Sequence, residues 1–170
     1  MRQTGSYIPI SQLFIYFNGR LLDRRASSIG DYGASRRNVV KSMRKFGICP
    51  EELWPSKKHL LNKKPPDYVY AEAKHYTVVS RRIPLDITAI RSSLADQIPV
   101  ILGIKIQNGT DNDASVNGGY LLIPDLKDTE VAYTPTHAVL LVGYDDKERY
   151  FIVRNSWGSH WVRIISLFYT

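Results

Sequence analysis

Two apolar runs, residues 138–144 and 150–154, flank five polar residues, Asp145-Asp146-Lys147-Glu148-Arg149. Each run is the length of a strand and the loop is short, which predicts an antiparallel hairpin. If Tyr144 pairs with Tyr150, then Val139 faces Asn155, and His137 faces Trp157 should the pairing continue. Side chains two apart share a sheet face. His137, Asn155 and Trp157 therefore converge at one end of the hairpin. An amide diagonal to an imidazole can accept its ring N–H, which fixes one tautomer and leaves proton transfer to the other nitrogen. An adjacent indole would keep water off that bond. A slip of one residue would scatter the three side chains. Taken singly, a His ending a strand and an Asn capping a turn would explain the first two residues equally well.

The chain has 170 residues, 44% of them hydrophobic and 23% charged, an ordinary globular composition that excludes wholesale disorder and fibrous repeats. No apolar run reaches the ~18 residues of a membrane span, so no membrane association is expected. Met1-Arg2-Gln3-Thr4-Gly5-Ser6 opens no signal-peptide core. The single cysteine, Cys49, excludes an intrachain disulfide and points to a reducing, cytoplasmic setting. No metal-ligand spacing is present, and no metal or cofactor is expected. Charge is uneven: residues 1–82 carry a net +10 and residues 83–170 a net −3. A basic half admits a nucleic-acid-binding module as one reading. Against a nucleic-acid partner stand the scatter of the Lys/Arg pairs along the sequence and the lack of zinc spacing or an RNA-binding aromatic signature.

The first part of the chain reads helical. Ser11 can cap a helix over 12–18, and Ser35 a second through Val39, Val40, Met43 and Phe46, with Gly47 closing it. Lys63-Lys64-Pro65-Pro66 reads as a connection between lobes, giving a helical lobe over 1–66 and a β-rich lobe over 67–170. In the second lobe, residues 76–79 and 100–104 read as strands, and Asp86 can cap a helix through Leu94.

Thr136-His137-Ala138-Val139, then Val142-Gly143-Tyr144, then Arg154-Asn155-Ser156-Trp157-Gly158-Ser159-His160-Trp161, resembles the His and Asn region of papain-like cysteine peptidases. Leu13-Phe14-Ile15-Tyr16-Phe17-Asn18-Gly19-Arg20 and Gly47-Ile48-Cys49-Pro50-Glu51-Glu52-Leu53-Trp54-Pro55 resemble the compact microbial and viral members. The resemblance covers roughly residues 8–161. It implies an α+β fold, a helical lobe against an antiparallel β-barrel-like lobe, and hydrolysis of peptide or protein substrates by a Cys-His-Asn mechanism. His137 then matches the general base, Asn155 its orienter and Trp157 the shielding indole. Gly33, in Asp31-Tyr32-Gly33-Ala34, matches the segment that bonds extended substrate, a role suited to a residue with no side chain.

The family's nucleophilic cysteine, on the N-terminus of a long central helix, has no counterpart here. Papain-type spacing of ~130–150 residues before the histidine points to residue 7 or earlier. There Gln3-Thr4-Gly5-Ser6-Tyr7 carries tyrosine, which cannot replace a thiolate. Cys49 lies only 88 residues before His137 and is followed by Pro50, so it reads as a packed thiol. The segment after Trp161 also departs from the family pattern. The expectation is a papain-like fold without its N-terminal central helix. It would be a truncated or degenerate peptidase, inactive as this chain stands, or else a peptide-binding pseudopeptidase. Without that helix, the apolar faces of helices 12–18 and 36–46 should lack a partner, favouring self-association or a missing N-terminal segment.

Overall fold

Ser11 is wholly buried and does two things at once. Its Oγ accepts the Phe14 N–H at 3.0 Å, capping helix α1 (Gln12–Leu21), and donates to the Trp54 carbonyl at 2.5 Å. The cap thereby ties the start of α1 to the turn-rich segment around residue 54. The computed structural model describes residues 8–23, 29–105, 120–122, 136–156 and 164–166. They fall into two compact units, Met1–Arg81 and Arg82–Thr170.

In the first unit, Ser35 caps α2 (Arg36–Phe46) by accepting the Asn38 N–H at 3.2 Å. Gly47 ends α2 at φ +84°, and a Cβ there would sit 1.9 Å from the Ala73 carbonyl oxygen. Only glycine satisfies both the left-handed backbone and this close approach. Helix α3 (Asp67–Ala73) follows. The sequence pattern puts residues 67–73 in the second lobe; the structure places them in the first unit. Val69 and Ala73 of α3 are fully buried with Leu13, Phe14, Cys49 and Trp54.

That placement also corrects, at Phe14 and Phe46, the expectation of uncovered helix faces. Phe14 is only 1% exposed, and Phe46 is half-buried. Tyr70 of α3 packs against both, its ring tilted on Phe14 with centroids 5.1 Å apart and edge-on to Phe46 at 5.7 Å. Its hydroxyl donates to Asn18 Oδ1 at 2.9 Å, while Asn18 Nδ2 donates to the Phe14 carbonyl at 2.9 Å. A fully buried amide is thus satisfied on both ends. At Phe14 and Phe46, the chain's own third helix supplies a partner.

Residues 76–79 form no strand, and Val79 is fully exposed. β-branched residues favour strands only where an edge is there to pair with them.

The second unit is built on α4 (Ile87–Ala95), capped by Asp86, whose carboxylate accepts the Ala89 N–H at 2.8 Å. It packs on a five-stranded sheet: β1 (Val100–Lys105), β2 (Tyr120–Leu122), β3 (Thr136–Asp145), β4 (Tyr150–Arg154) and β5 (Ile164–Ser166), in the order β1-β3-β4-β5-β2. Three neighbouring pairs are antiparallel; β2 and β5 are parallel. One sheet face carries Val100, Ile104, Val139, Leu141, Phe151 and Val153, all buried with Ile90 and Leu94 of α4. Arg91 of α4 pairs with Asp146 at 2.5 Å and lies 5.2 Å over the Tyr144 ring, so α4 reaches the hairpin-loop end. Among the described residues, no helix is long and apolar enough to cross a membrane.

Candidate active site

The hairpin forms, but with a β-bulge between Leu141 and Gly143. Near its loop, Tyr144 pairs with Phe151, one residue away from the expected Tyr144–Tyr150 pairing. Beyond the bulge, Leu141 pairs with Val153 and Leu140 with Arg154, the predicted alignment. The extra residue, Val142, is half-exposed. It lets Leu141 and Tyr144 both turn toward the core despite their odd spacing. The bulge therefore restores, at the far end of the hairpin, the register that would place Asn155 opposite Val139 and diagonal to His137.

The two side chains meet there. His137 Nε2 and Asn155 Oδ1 are 2.8 Å apart, and both residues are half-buried. The Ser156 N–H, which can only donate, lies 2.7 Å from the same Oδ1. A donor cannot face an NH₂ group, so the amide oxygen must point to this position. Nε2 must then carry the proton, and the neutral ring keeps its lone pair on Nδ1. Beneath the pair, Val139 and Val153 lie in the apolar core, which fixes the backbone carrying both side chains. The sequence does not single out the Ser156 amide, since Asn-Ser reads there only as a turn.

Cys49 is 0% exposed, in the core of the helical unit. Burial, with the Glu51 charge adding to it, pushes its thiol up to about 11. Its Sγ lies 3.1 Å from the Pro50 carbonyl oxygen. A thiol so placed is neutral at ordinary pH and out of reach of a substrate.

Gly33 lies between α1 and α2, at φ +80°, with open space where a Cβ would project. Its N–H donates to the Tyr16 hydroxyl at 2.9 Å, and that hydroxyl donates to Asp31 Oδ1 at 2.6 Å. Burial and the bond to Asp31 raise the Tyr16 pKa. The positive φ alone accounts for glycine; the open space also permits a backbone to approach. Gly33 belongs to the first unit, His137 and Asn155 to the second. Trp157 and the Gln3–Tyr7 string, residues 3–7, lie outside the described residues. Among the described residues, no cluster of His, Cys, Asp or Glu is placed to hold a metal.

The family model described as papain family cysteine protease matches residues 20–164. The chain belongs to the papain family of cysteine proteases. An uncharacterized peptidase C1-like protein of Acanthamoeba polyphaga mimivirus is 31% identical over 166 residues, covering 92% of this chain and 51% of that protein. Falcipain-3 of Plasmodium falciparum is 28% identical over 165 residues, covering 88% of this chain and 30% of that protein. The chain thus spans about half the length, or less, of these curated relatives. Among solved structures, xylellain, a cysteine protease from Xylella fastidiosa, superposes with a TM-score of 0.74 at 31% identity, covering 92% of this chain and 63% of that one. A Carica candamarcensis cysteine protease, solved in complex with E-64, shares the fold at a TM-score of 0.59 and 20% identity, covering 95% of this chain and 70% of that one. The papain-like α+β fold is thereby established, and it accounts for the helical and β-rich units.

Proposed function

We propose that His137 is the general base and acid, and Asn155 its orienter, of a papain-type peptidase acting on peptide or protein substrates. The observation that carries this reading is the 2.8 Å His137–Asn155 bond, with the amide oxygen oriented by the Ser156 N–H. A neutral ring protonated on Nε2 presents Nδ1 as a base. It takes the proton of a thiol, the thiolate attacks the scissile carbonyl, and the imidazolium returns the proton to the leaving amine. Water then opens the acyl-enzyme by the same base. Asn155 holds the ring in the tautomer this cycle needs. Trp157 would shield the pair, and the open backbone at Gly33 would receive extended substrate. The single buried thiol fits a reducing, cytoplasmic compartment.

The cycle needs a thiolate that Cys49 does not supply, so these 170 residues alone should not turn over peptides. The burial of Cys49 also supports a second reading, a pseudopeptidase that binds extended peptide without cleaving it. The test is to sequence the DNA upstream of Met1 and assay the longest in-frame product. A product carrying a Gln…Gly-Ser-Cys segment should hydrolyse peptides. Its His137→Ala variant should lose nearly all turnover, on the order of 10²–10⁴-fold from proton transfer alone, and Asn155→Ala should lose less. Equal activity in all three would remove the assignment. Turnover by the 170-residue chain that Cys49→Ser abolishes would overturn its inactivity. Peptide binding without cleavage in every product would favour the pseudopeptidase.

A further inference from the structure

Helix α2 breaks the usual electrostatic rules of a helix. Its sequence, RRNVVKSMRKF, holds five cations and no carboxylate. Arg36 and Arg37 occupy the first turn, where the helix dipole disfavours positive charge. Arg37 and Lys41, Lys41 and Lys45, and Lys41 and Arg44 stand three or four residues apart, the spacing at which like charges repel. All five are exposed. Among the described residues no carboxylate pairs with any of them, and Lys45 lies 5.1 Å over the Phe46 ring. The helix brings Arg37, Lys41, Arg44 and Lys45 onto one face. At 3.6 residues per turn, Arg44, Arg37, Lys41 and Lys45 fall within an arc of about 100°, and Arg36 lies about 80° outside it. Arg44 and Lys45, in the last turn, suit the helix dipole; the first-turn cations and the like-charge spacings have no compensation among the described residues, the mark of a surface with a purpose outside the molecule.

We propose that this face of α2 docks an acidic, extended polypeptide segment of a partner protein. On this face the charges form three tiers, Arg37, Lys41 and Arg44/Lys45, about 6 and 5 Å apart along the axis. An extended chain repeats every second side chain at about 6.6 Å, so alternate Asp or Glu residues meet successive tiers. A membrane surface fits poorly because the apolar edge of α2 is already used: the space beside Gly19 is filled by Val39, and Ser42 is buried against α1. A nucleic-acid strand fits poorly because the arc carries no exposed aromatic on which bases could stack. Tyr32, exposed before the helix cap, is laid against Gly30.

Fluorescence anisotropy at low ionic strength tests this on the intact chain. The probe is a labelled dodecapeptide of alternating Glu and Ser; oligothymidylate and phosphatidylserine vesicles compete. Saturable peptide binding is expected, weakened by salt, and about tenfold or more weaker in the double variant Lys41→Glu/Arg44→Glu. The variant should melt within a few degrees of the parent, because the pairing of Glu at 41 with Arg37 and Lys45 offsets the cost of Glu at 44 in the last turn. No saturable binding by the parent, an unchanged affinity in the variant, or stronger binding to the oligonucleotide or the vesicles would each overturn the proposal.

Discussion

The Ser156 N–H decides the chemistry of its neighbour's side chain, and through it the tautomer of His137. Nitrogen NMR of the neutral imidazole should therefore show one species, protonated at Nε2. Asn155→Ala removes the acceptor, and a detectable population protonated at Nδ1 should appear; an unchanged spectrum would mean that the amide does not orient the ring. Much of this is legible in the sequence, because the two apolar runs fix which residues oppose one another. Beyond the bulge the ladder follows that arithmetic through Leu140 and Arg154. The Ser156 amide is not legible, since a backbone N–H leaves no trace in residue type. At Cys49, a thiol held near 11 has a thiolate fraction about a hundredfold below that of an ordinary cysteine of pKa 9. A soluble thiol reagent should leave Cys49 unlabelled in the native protein and label it rapidly in denaturant. Fast native labelling would show that the thiol is reachable.

Among the elements, the two serine caps separate burial from capping. Ser35 makes one exposed bond, and Ser35→Ala should cost ~0.5–1 kcal/mol. Ser11 adds a buried donation to Trp54, so Ser11→Ala should cost about 2 kcal/mol and leave the Trp54 carbonyl without its donor. Equal losses, measured by urea unfolding, would mean that the buried bond contributes nothing. All three capped helices are legible because Ser11, Ser35 and Asp86 announce their starts. Helix α3 is hidden, since it is seven residues long, has no side-chain cap and starts directly behind two prolines. The bulge is hidden as well: Val139-Leu140-Leu141-Val142 is apolar throughout, so no alternation marks the extra residue. Deleting Val142 should leave an unbroken ladder that still places His137 beside Asn155. The deletion variant should fold and keep the Nε2-protonated signature. Loss of that signature in a folded variant would show that the bulge itself aims the histidine.

At the scale of the whole molecule, two units with separate cores should respond differently to alkali. Cys49, Tyr16 and Tyr70, all in the first unit, have raised pKa values. Burial is the leading cause for each, as the apolar surroundings disfavour the anion. When the folded pKa exceeds the unfolded one, the unfolded chain loses its proton first, and stability falls as pH rises between the two values. For Cys49 the window opens at 9.0 and closes at about 11. Below it the thiol is neutral in both states and contributes no pH dependence. Within the window each step of one pH unit removes about 1.4 kcal/mol, so crossing it should cost the helical unit roughly 2–3 kcal/mol, a large share of the ~5–15 kcal/mol of a typical domain. Tyr70 and Tyr16 act in the same direction, from the ordinary tyrosine value of 10.0 upward. Methyl NMR can read the two cores apart, with Val69 reporting on the helices and Val139 and Val153 on the sheet. Between pH 9 and 11 the Val69 signals should lose their native positions at lower denaturant, while those of Val139 and Val153 move less. In Cys49→Ala the lower part of that slope should flatten, with the tyrosine part remaining above pH 10. Identical slopes at all three valines, or no change on removing the thiol, would show that the buried ionisable groups of the helical unit do not govern its alkaline stability.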